Sequence, residues 1–381
     1  MKTIQKLLFF AVLTAITSCS DNADNMLTVI YPDGSCRREF SAHADSAFMT
    51  GNLTGENNPF PVEIDSAYAI AWQYKNGEIC TDFPISSQKY DSLAVQDTTT
   101  ENAVEKEKNF LIILVQNYKS IDEMAEKFTL KPSHPWKDMS VKYHFEKKFH
   151  FFYSYFTYKE TYPQIELPFD EPITNYMSED EADFWFTGEP NLTKGMSGME
   201  IYEYAEELKQ KYENWFTRNI WNLHYKFIIE NYDSIKNPPV SKKEFIRLKD
   251  TIFEEKHKTN TIQTDRINAE LDNYFNTKVF SACWEMKDLD ENFENQDFLS
   301  FFGKEFSYQL IMPGKIISTN GVNRNDTLSW HLSAYRMIPG DYSMEAQSRK
   351  LNSWMLVLTV TLALTAIGIF VYKKKKLSSF Y

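Results

Sequence analysis

Cysteine, histidine, clustered carboxylates and clustered lysines are the residue types in this chain with the means to do chemistry. The cysteines are Cys19, Cys36, Cys80 and Cys283. Cys36 and Cys80 fall in one N-terminal segment. They can form a disulfide in an oxidising compartment, and two separate thiols are the equal alternative. Cys283, beside Trp284, reads as a buried thiol rather than a nucleophile. No two cysteines stand at metal-ligand spacing. The histidines are His43, His134, His144, His150, His224, His257 and His331, and no two form a His-x-x-x-His or His-Glu-x-x-His pair. His144 and His150 share a strand face but stand too far apart for one metal. There is no Gly-x-Ser-x-Gly elbow and no phosphate-cradling glycine loop. Carboxylate clusters such as Glu179-Asp180-Glu181 follow a serine at helix-cap spacing. The residues therefore name no catalytic site, no metal and no cofactor.

The elements that position any site begin with the two ends. Lys2 and Lys6 precede a short apolar run, Leu7 to Ile16, which has the form of a secretory leader. Trp354 to Tyr372 is uncharged throughout. At about 1.5 Å per residue it reaches roughly 28 Å, close to a hydrocarbon core. Trp354 and Tyr372 stand at its borders, where amphipathic rings prefer the interface. Lys373, Lys374, Lys375 and Lys376 follow at once and set the orientation, with the lysines in the cytoplasm and the body outside. The net charge is -12, and leaving out the six lysines of the two ends gives the rest -18. Such a body repels nucleic acid, which is not expected as a partner, and anionic lipid headgroups.

Ile16-Thr17-Ser18-Cys19 resembles the lipobox of Bacteroidota-type envelope lipoproteins. The resemblance implies that the Cys19 thiol takes a diacylglycerol and that cleavage makes it the new N-terminus. The expected organisation is a signal peptide at 1–18, a tether at 19–26, an N-terminal β-rich region at 27–165, a helical insertion at 166–303, a C-terminal β region at 304–349, a transmembrane helix at 354–372 and a cytoplasmic tail at 373–381.

Within the body, Leu27 to Tyr31 and a strand through Phe40 flank the turn Pro32-Asp33-Gly34. Ser66 to Tyr74 fits a strand or a short helix, and the polar segment 85–108 reads as a loop. Phe110 to Val115 is an apolar strand, followed by a capping box at Ser120 to Glu123. Val141 to Thr161 alternates through Tyr143, Phe145, Lys147, Phe149, Phe151, Tyr153 and Tyr155, as one long strand or two, with the aromatic stripe expected in the core. Ser178 and Ser197 open helices with capping boxes. The second is the longest, reaching about Ser234 with apolar steps at Ile201, Ala205, Leu208, Tyr212 and Trp215. Ser241 caps another helix, and 264–285 adds one more. Alternation returns at Phe306 to Met312 and at Trp330 to Ala334, with Pro313-Gly314 as a turn and Asn320-Gly321 as a hairpin turn. Three or four terminal strands make a poor core alone. The expected fold is α+β: a mixed or antiparallel sheet from N- and C-terminal strands, with a helical insertion and one C-terminal transmembrane helix.

Leu310 to Ile316, Thr319-Asn320-Gly321, Leu328-Ser329-Trp330 and Ala346 together resemble the C-terminal part of the LppM-type lipoprotein domain, over about residues 306–348. That resemblance implies an extracytoplasmic α+β domain with lipid or glycolipid affinity; turn chemistry and a core tryptophan also account for those residues. Asp followed by Ser or Thr and then an aliphatic or Thr occurs with hydroxyls at Ser46, Ser66, Ser92, Thr98, Ser234, Thr251 and Thr327. The triplets are similar to the O-glycosylation sequon of Bacteroidota envelope proteins; helix starts and turns use the same pairs. The functional expectation is a non-enzymatic binding or scaffold module, tethered to the inner membrane with its body in the periplasm. Its expected partners are the bilayer and an envelope protein, lipid or glycolipid. An envelope hydrolase is the alternative.

Overall fold

Alternating and all-apolar segments at both ends of the body become strands, and the capped, helically periodic middle becomes helices. The computed structural model describes residues 24–53, 57–75, 77–95, 110–258, 267–286 and 297–378. In chain order the first part holds β1 (Asp24–Ile30), β2 (Cys36–His43), α1 (Ser46–Met49), β3 (Ala69–Tyr74), β4 (Ile79–Cys80), α2 (Ser87–Val95), β5 (Phe110–Tyr118), α3 (Ile121–Lys127), β6 (Lys142–His150) and β7 (Tyr153–Tyr162). The middle holds α4 (Glu179–Thr187), α5 (Gly198–Asn231), α6 (Lys242–Lys258), α7 (Ile267–Phe275), α8 (Val279–Met286) and α9 (Asp297–Phe302). The last part holds β8 (Glu305–Ile311), β9 (Lys315–Thr319), β10 (Val322–Arg324), β11 (Thr327–Ser333), β12 (Tyr342–Leu351) and α10 (Ser353–Ser378).

The chain divides into two compact units. The β unit comprises 23–162, 306–332 and 343–381; the helical unit contains 163–305 and 333–342. In the β unit, an eight-stranded sheet runs β10-β11-β8-β1-β2-β5-β3-β4, and a four-stranded sheet runs β6-β7-β12-β9. β1 pairs antiparallel with β2 and parallel with β8, so Asp24 lies opposite Phe306 and Val29 opposite Ile311. The N- and C-terminal strands thus share one mixed sheet, as expected of the α+β reading. β2 runs antiparallel to β5 and β5 to β3. Side chains alternate across each strand, so β7 buries Ser154, Phe156, Tyr158, Glu160 and Tyr162 on one face.

Two open alternatives are resolved and other expectations are corrected here. Of Ser66 to Tyr74, residues Ala69–Tyr74 form the strand β3, and part of the polar segment 85–108 forms α2. Val141 to Thr161 is two strands, joined at Phe151-Phe152 with His150 opposite Tyr153. A reversal there changes the buried phase. The even-numbered residues of β7 face the core, while Phe149, Phe151 and Tyr153 of the expected core stripe are exposed. Asn320-Gly321 is not a hairpin turn, because β9 joins the four-stranded sheet and β10 the eight-stranded one. The hairpin turn is Asn325-Asp326, between β10 and β11. Both residues have positive φ, 53° and 62°, which Asn and Asp tolerate better than other side chains.

The helical unit is built on α5. Ser197 caps it, accepting from the Glu200 N–H while the Glu200 carboxylate accepts from the Ser197 N–H, and Ser178 and Glu181 do the same for α4. From Asn219 to Tyr225 α5 is buried on every face, packed with Phe245 and Ile252 of α6, Ile267 and Leu271 of α7, and Phe280 and Trp284 of α8. Asp272 caps α8, accepting from the N–H groups of Phe280 and Ser281 at 2.9 and 3.0 Å. The early apolar steps of α5 do not pack as expected: Ile201 and Ala205 are exposed, and burial begins at Leu208. Residues 333–342 belong with this unit through Ile165 N–H to Met337 O at 2.9 Å and Arg336 Nη1 to Thr187 O at 2.9 Å.

Candidate functional site

Two features of the β unit stand out as built arrangements: a charged network between its sheets, and the junction between β6–β7 and α10. The network begins with strand alternation. Arg38 shares a face of β2 with Cys36 and Phe40, and Glu160 shares a face of β7 with Tyr158 and Tyr162. Both faces point inward, so Arg38 is 1% and Glu160 0% exposed. Arg38 Nη2 donates to Glu160 Oε2 at 3.1 Å, Nε to Thr28 Oγ1 at 3.2 Å and Nη1 to the Tyr143 hydroxyl at 3.4 Å. The guanidinium lies over the Phe128 ring, 4.6 Å from its centroid. Glu160 also accepts from Tyr158 at 2.8 Å and Tyr162 at 2.7 Å, and Tyr308 donates to Thr28 at 3.0 Å.

Burial is the largest single effect and works against the Arg38 charge, but the Glu160 carboxylate together with Tyr143, Tyr308 and Tyr158 outweighs it and holds the guanidinium well above its usual value. Burial, with Glu160 next in effect, pushes Tyr158 and Tyr162 well above the phenol range. These hydroxyls keep their protons at any physiological pH. The network is a satisfied, solvent-excluded clasp between the two sheets, with its carboxylate out of a substrate's reach.

The second arrangement lies where β12 runs into α10. Asn352 stands between them and grips the β6–β7 tip. Its N–H donates to Phe152 O at 2.7 Å, its Nδ2 donates to Phe151 O at 2.9 Å, and its Oδ1 accepts from Ser154 Oγ at 2.9 Å. Two residues on, the Trp354 ring stacks on Phe149 with centroids 6.0 Å apart. From Ser353 to Tyr372 α10 is long and apolar enough to cross a membrane, and the other described residues cover almost none of it. Its threonines Thr359, Thr361 and Thr365 donate their hydroxyls to the carbonyls four residues back, at 2.7 to 2.8 Å. Those three hydroxyls need no water.

The residues singled out in the sequence are dispersed. Cys19 and Thr98 lie outside the described residues, and Lys373 to Lys376 are described only as backbone of α10. Cys36 and Cys80 are not bridged. Cys36 pairs with Tyr118 at one end of β5, whereas Cys80 pairs with Trp72, which pairs with Ile112 near the other end. Six residues along a strand, at about 3.3 Å each, and three strand spacings of about 4.8 Å keep them far beyond disulfide reach. Cys36 Sγ instead lies 3.9 Å from Met124 Sδ, and burial pushes its thiol up to about 11. Cys283 is buried in the helical core. Ser46, Ser66, Ser92, Ser234 and Thr251 are exposed, and Thr327 is half-buried. Among the described residues no three of His, Cys, Asp and Glu converge as a metal site.

The residues of the LppM-type resemblance serve turns and packing. Asn320 Oδ1 accepts from Trp330 Nε1 at 3.0 Å and from the Glu345 N–H at 2.9 Å, tying the sheet-crossing corner to β11 and β12. A Cβ on Gly321 would overlap the Trp330 ring, and Gly314 (φ 82°) sits where one would overlap the Arg349 carbonyl. Sequence reasoning missed Arg38, Glu160 and Asn352. The available signal was one charged residue in an otherwise apolar strand phase, at Arg38 between Cys36 and Phe40 and at Glu160 between Tyr158 and Tyr162.

Comparison with known proteins finds no matching family model, no matching curated protein and no matching solved structure.

Proposed function

We propose that this chain is a membrane-tethered extracytoplasmic lipoprotein and that its body is a non-enzymatic binding or scaffold module of the cell envelope. The observation that carries the reading is α10. It follows β12 after the single residue Asn352, with Val357, Leu362, Ile367 and Phe370 each more than half exposed. Apolar side chains on all faces of a helix favour hydrocarbon over water. In this reading the helix crosses the inner membrane with its lysines in the cytoplasm, and Cys19 carries lipid in the same bilayer. The exposed residues Ser46, Ser66, Ser92, Ser234 and Thr251 of the triplets suit glycosylation outside the cytoplasm.

A binding role is supported by apolar surface in the helical unit. Met199 and Tyr202, 67% and 62% exposed at the start of α5, stand with Met196 and Ile201 outside any core. They suit a protein or an acyl-bearing lipid or glycolipid.

The test is labelling in the native host. Membrane-impermeant biotinylation of intact and permeabilised spheroplasts should modify body lysines from outside and Lys373 to Lys376 only after permeabilisation. Labelled fatty acid should enter the wild type and not Cys19→Ala. Body lysines reached only after permeabilisation would overturn the topology, and fatty acid retained by Cys19→Ala would overturn the lipoprotein assignment.

A further inference from the structure

We propose that the β6–β7 hairpin tip, Phe149 to Tyr153, is a second membrane contact that enters the headgroup boundary of the bilayer beside α10. The proposal rests on the reading of α10 as a membrane span.

The tip is unusual in composition. Phe149, Phe151, Phe152 and Tyr153 are 54%, 51%, 36% and 37% exposed, four aromatic rings within five residues at the end of a hairpin. A two-residue turn ordinarily uses Gly, Asn or Asp. Here Phe151 takes φ 42°, a left-handed conformation that a bulky side chain rarely adopts. The turn therefore keeps a ring where local backbone preference favours its loss.

The place of the tip is fixed. Asn352, one residue before α10, binds the carbonyls of both turn residues, and Trp354 in the first turn of α10 stacks on Phe149. The tip consequently shares a level with the start of the apolar run Ser353–Tyr372. That is the depth at which tryptophan and tyrosine rings settle, with apolar bodies in acyl chains and polar edges in headgroups, and where phenylalanine rings bury apolar area at the headgroup boundary. Asn352 also answers the polar objection to insertion, since the two carbonyls at the turn already have donors. Behind the rings stands a collar of cations: Lys147 and Lys148 on β6, and Arg349 and Lys350 on β12. Lys148 pairs with Glu146, Lys147 donates to Pro32 O, and Arg349 lies over the Tyr153 ring at 5.2 Å. Aromatic rings ahead of basic residues complement a lipid surface bearing phosphate. With a helix and a tip both engaged, the β unit has a defined tilt and rotation over the bilayer.

The test uses the full chain in vesicles of equal parts phosphatidylethanolamine and phosphatidylglycerol. Benzoylphenylalanine replaces Phe151, Phe152, Leu362 or Ile79 in turn, and photo-adducts are identified by mass spectrometry. Ile79 is 60% exposed on β4, near the end of its sheet opposite the β1–β2 turn that Lys147 touches. Phospholipid adducts at 151 and 152, several-fold above the yield at 79 and accompanied by adducts at 362, are expected. Lipid adducts at 362 with background yield at 151 and 152, or adducts there to a second polypeptide, overturn the tip contact and leave the span intact. No lipid adduct at 362 overturns the span and the tip contact together.

Discussion

Removing the Glu160 carboxylate should strip the β unit of much of its stability. In Glu160→Leu the Arg38 guanidinium stays 1% exposed with no counter-charge, and the Tyr162 hydroxyl loses its acceptor. Tyr158 keeps the Tyr308 hydroxyl at 3.3 Å. Breaking one side of a buried pair costs about 3–5 kcal/mol, a large share of the roughly 5–15 kcal/mol a domain holds. At about 1.36 kcal/mol per decade, amide-exchange protection in β7 and β12 should fall by about two to four decades. Hydrogen exchange read by mass spectrometry, on the full chain in detergent micelles, reports these strands separately from the helical unit. Arg38→Met combined with Glu160→Leu should lose less than either single variant, because no uncompensated charge is left inside. Protection in Glu160→Leu within about 1 kcal/mol of the parent, or losses that simply add in the double variant, would refute the clasp as a coupled charged unit.

Gly314→Ala should cost about 1–3 kcal/mol through left-handed strain and overlap with Arg349, measured by the same exchange in β9. Gly188→Ala, with φ 83° and open space around it, should lose only the backbone part, about 1 kcal/mol. Cys36, with about one thiolate in a thousand at pH 8, should resist iodoacetamide in the folded protein while half-buried Cys80 is alkylated. A disulfide-linked peptide of the two, recovered after digestion under trapping conditions, would contradict the strand register. The hydrogen bond from Lys211 lowers the Glu181 carboxyl, burial opposes it, and the Ser178 N–H adds to the lowering. A depressed folded value stabilises above the unfolded value of about 4.5 and is lost as pH falls through the folded one. Glu181→Gln should accordingly lose about 0.5–1 kcal/mol at pH 7 in urea melts and nothing once the pH lies below the folded value.

The elements legible in the sequence were those whose signals are local. Ser120, Ser178, Ser197 and Ser241 each cap the helix their spacing announced, because a cap needs only residues three apart. The sharing of a sheet by terminal strands followed from the poverty of a four-strand core. What escaped notice depends on partners far along the chain. A Phe-Phe turn carries none of the usual turn residues, since its stabilising contact is Asn352, two hundred residues away. Asn320-Gly321 reads as a hairpin locally, and only the pairing of β12 with β9 sends the two strands to different sheets. Arg38 and Glu160 are separated by 122 positions, and neither betrays burial until the other is known.

The parallel pairing of β1 with β8 also sets a timetable. About 275 residues must be synthesised after Ile30 before the segment beginning at Phe306 exists. At roughly 5–20 residues per second that is about 14–55 s during which one side of β1 lacks its native neighbour. That edge of β1 stays open in the nascent chain throughout, and slower translation would lengthen the exposure in proportion.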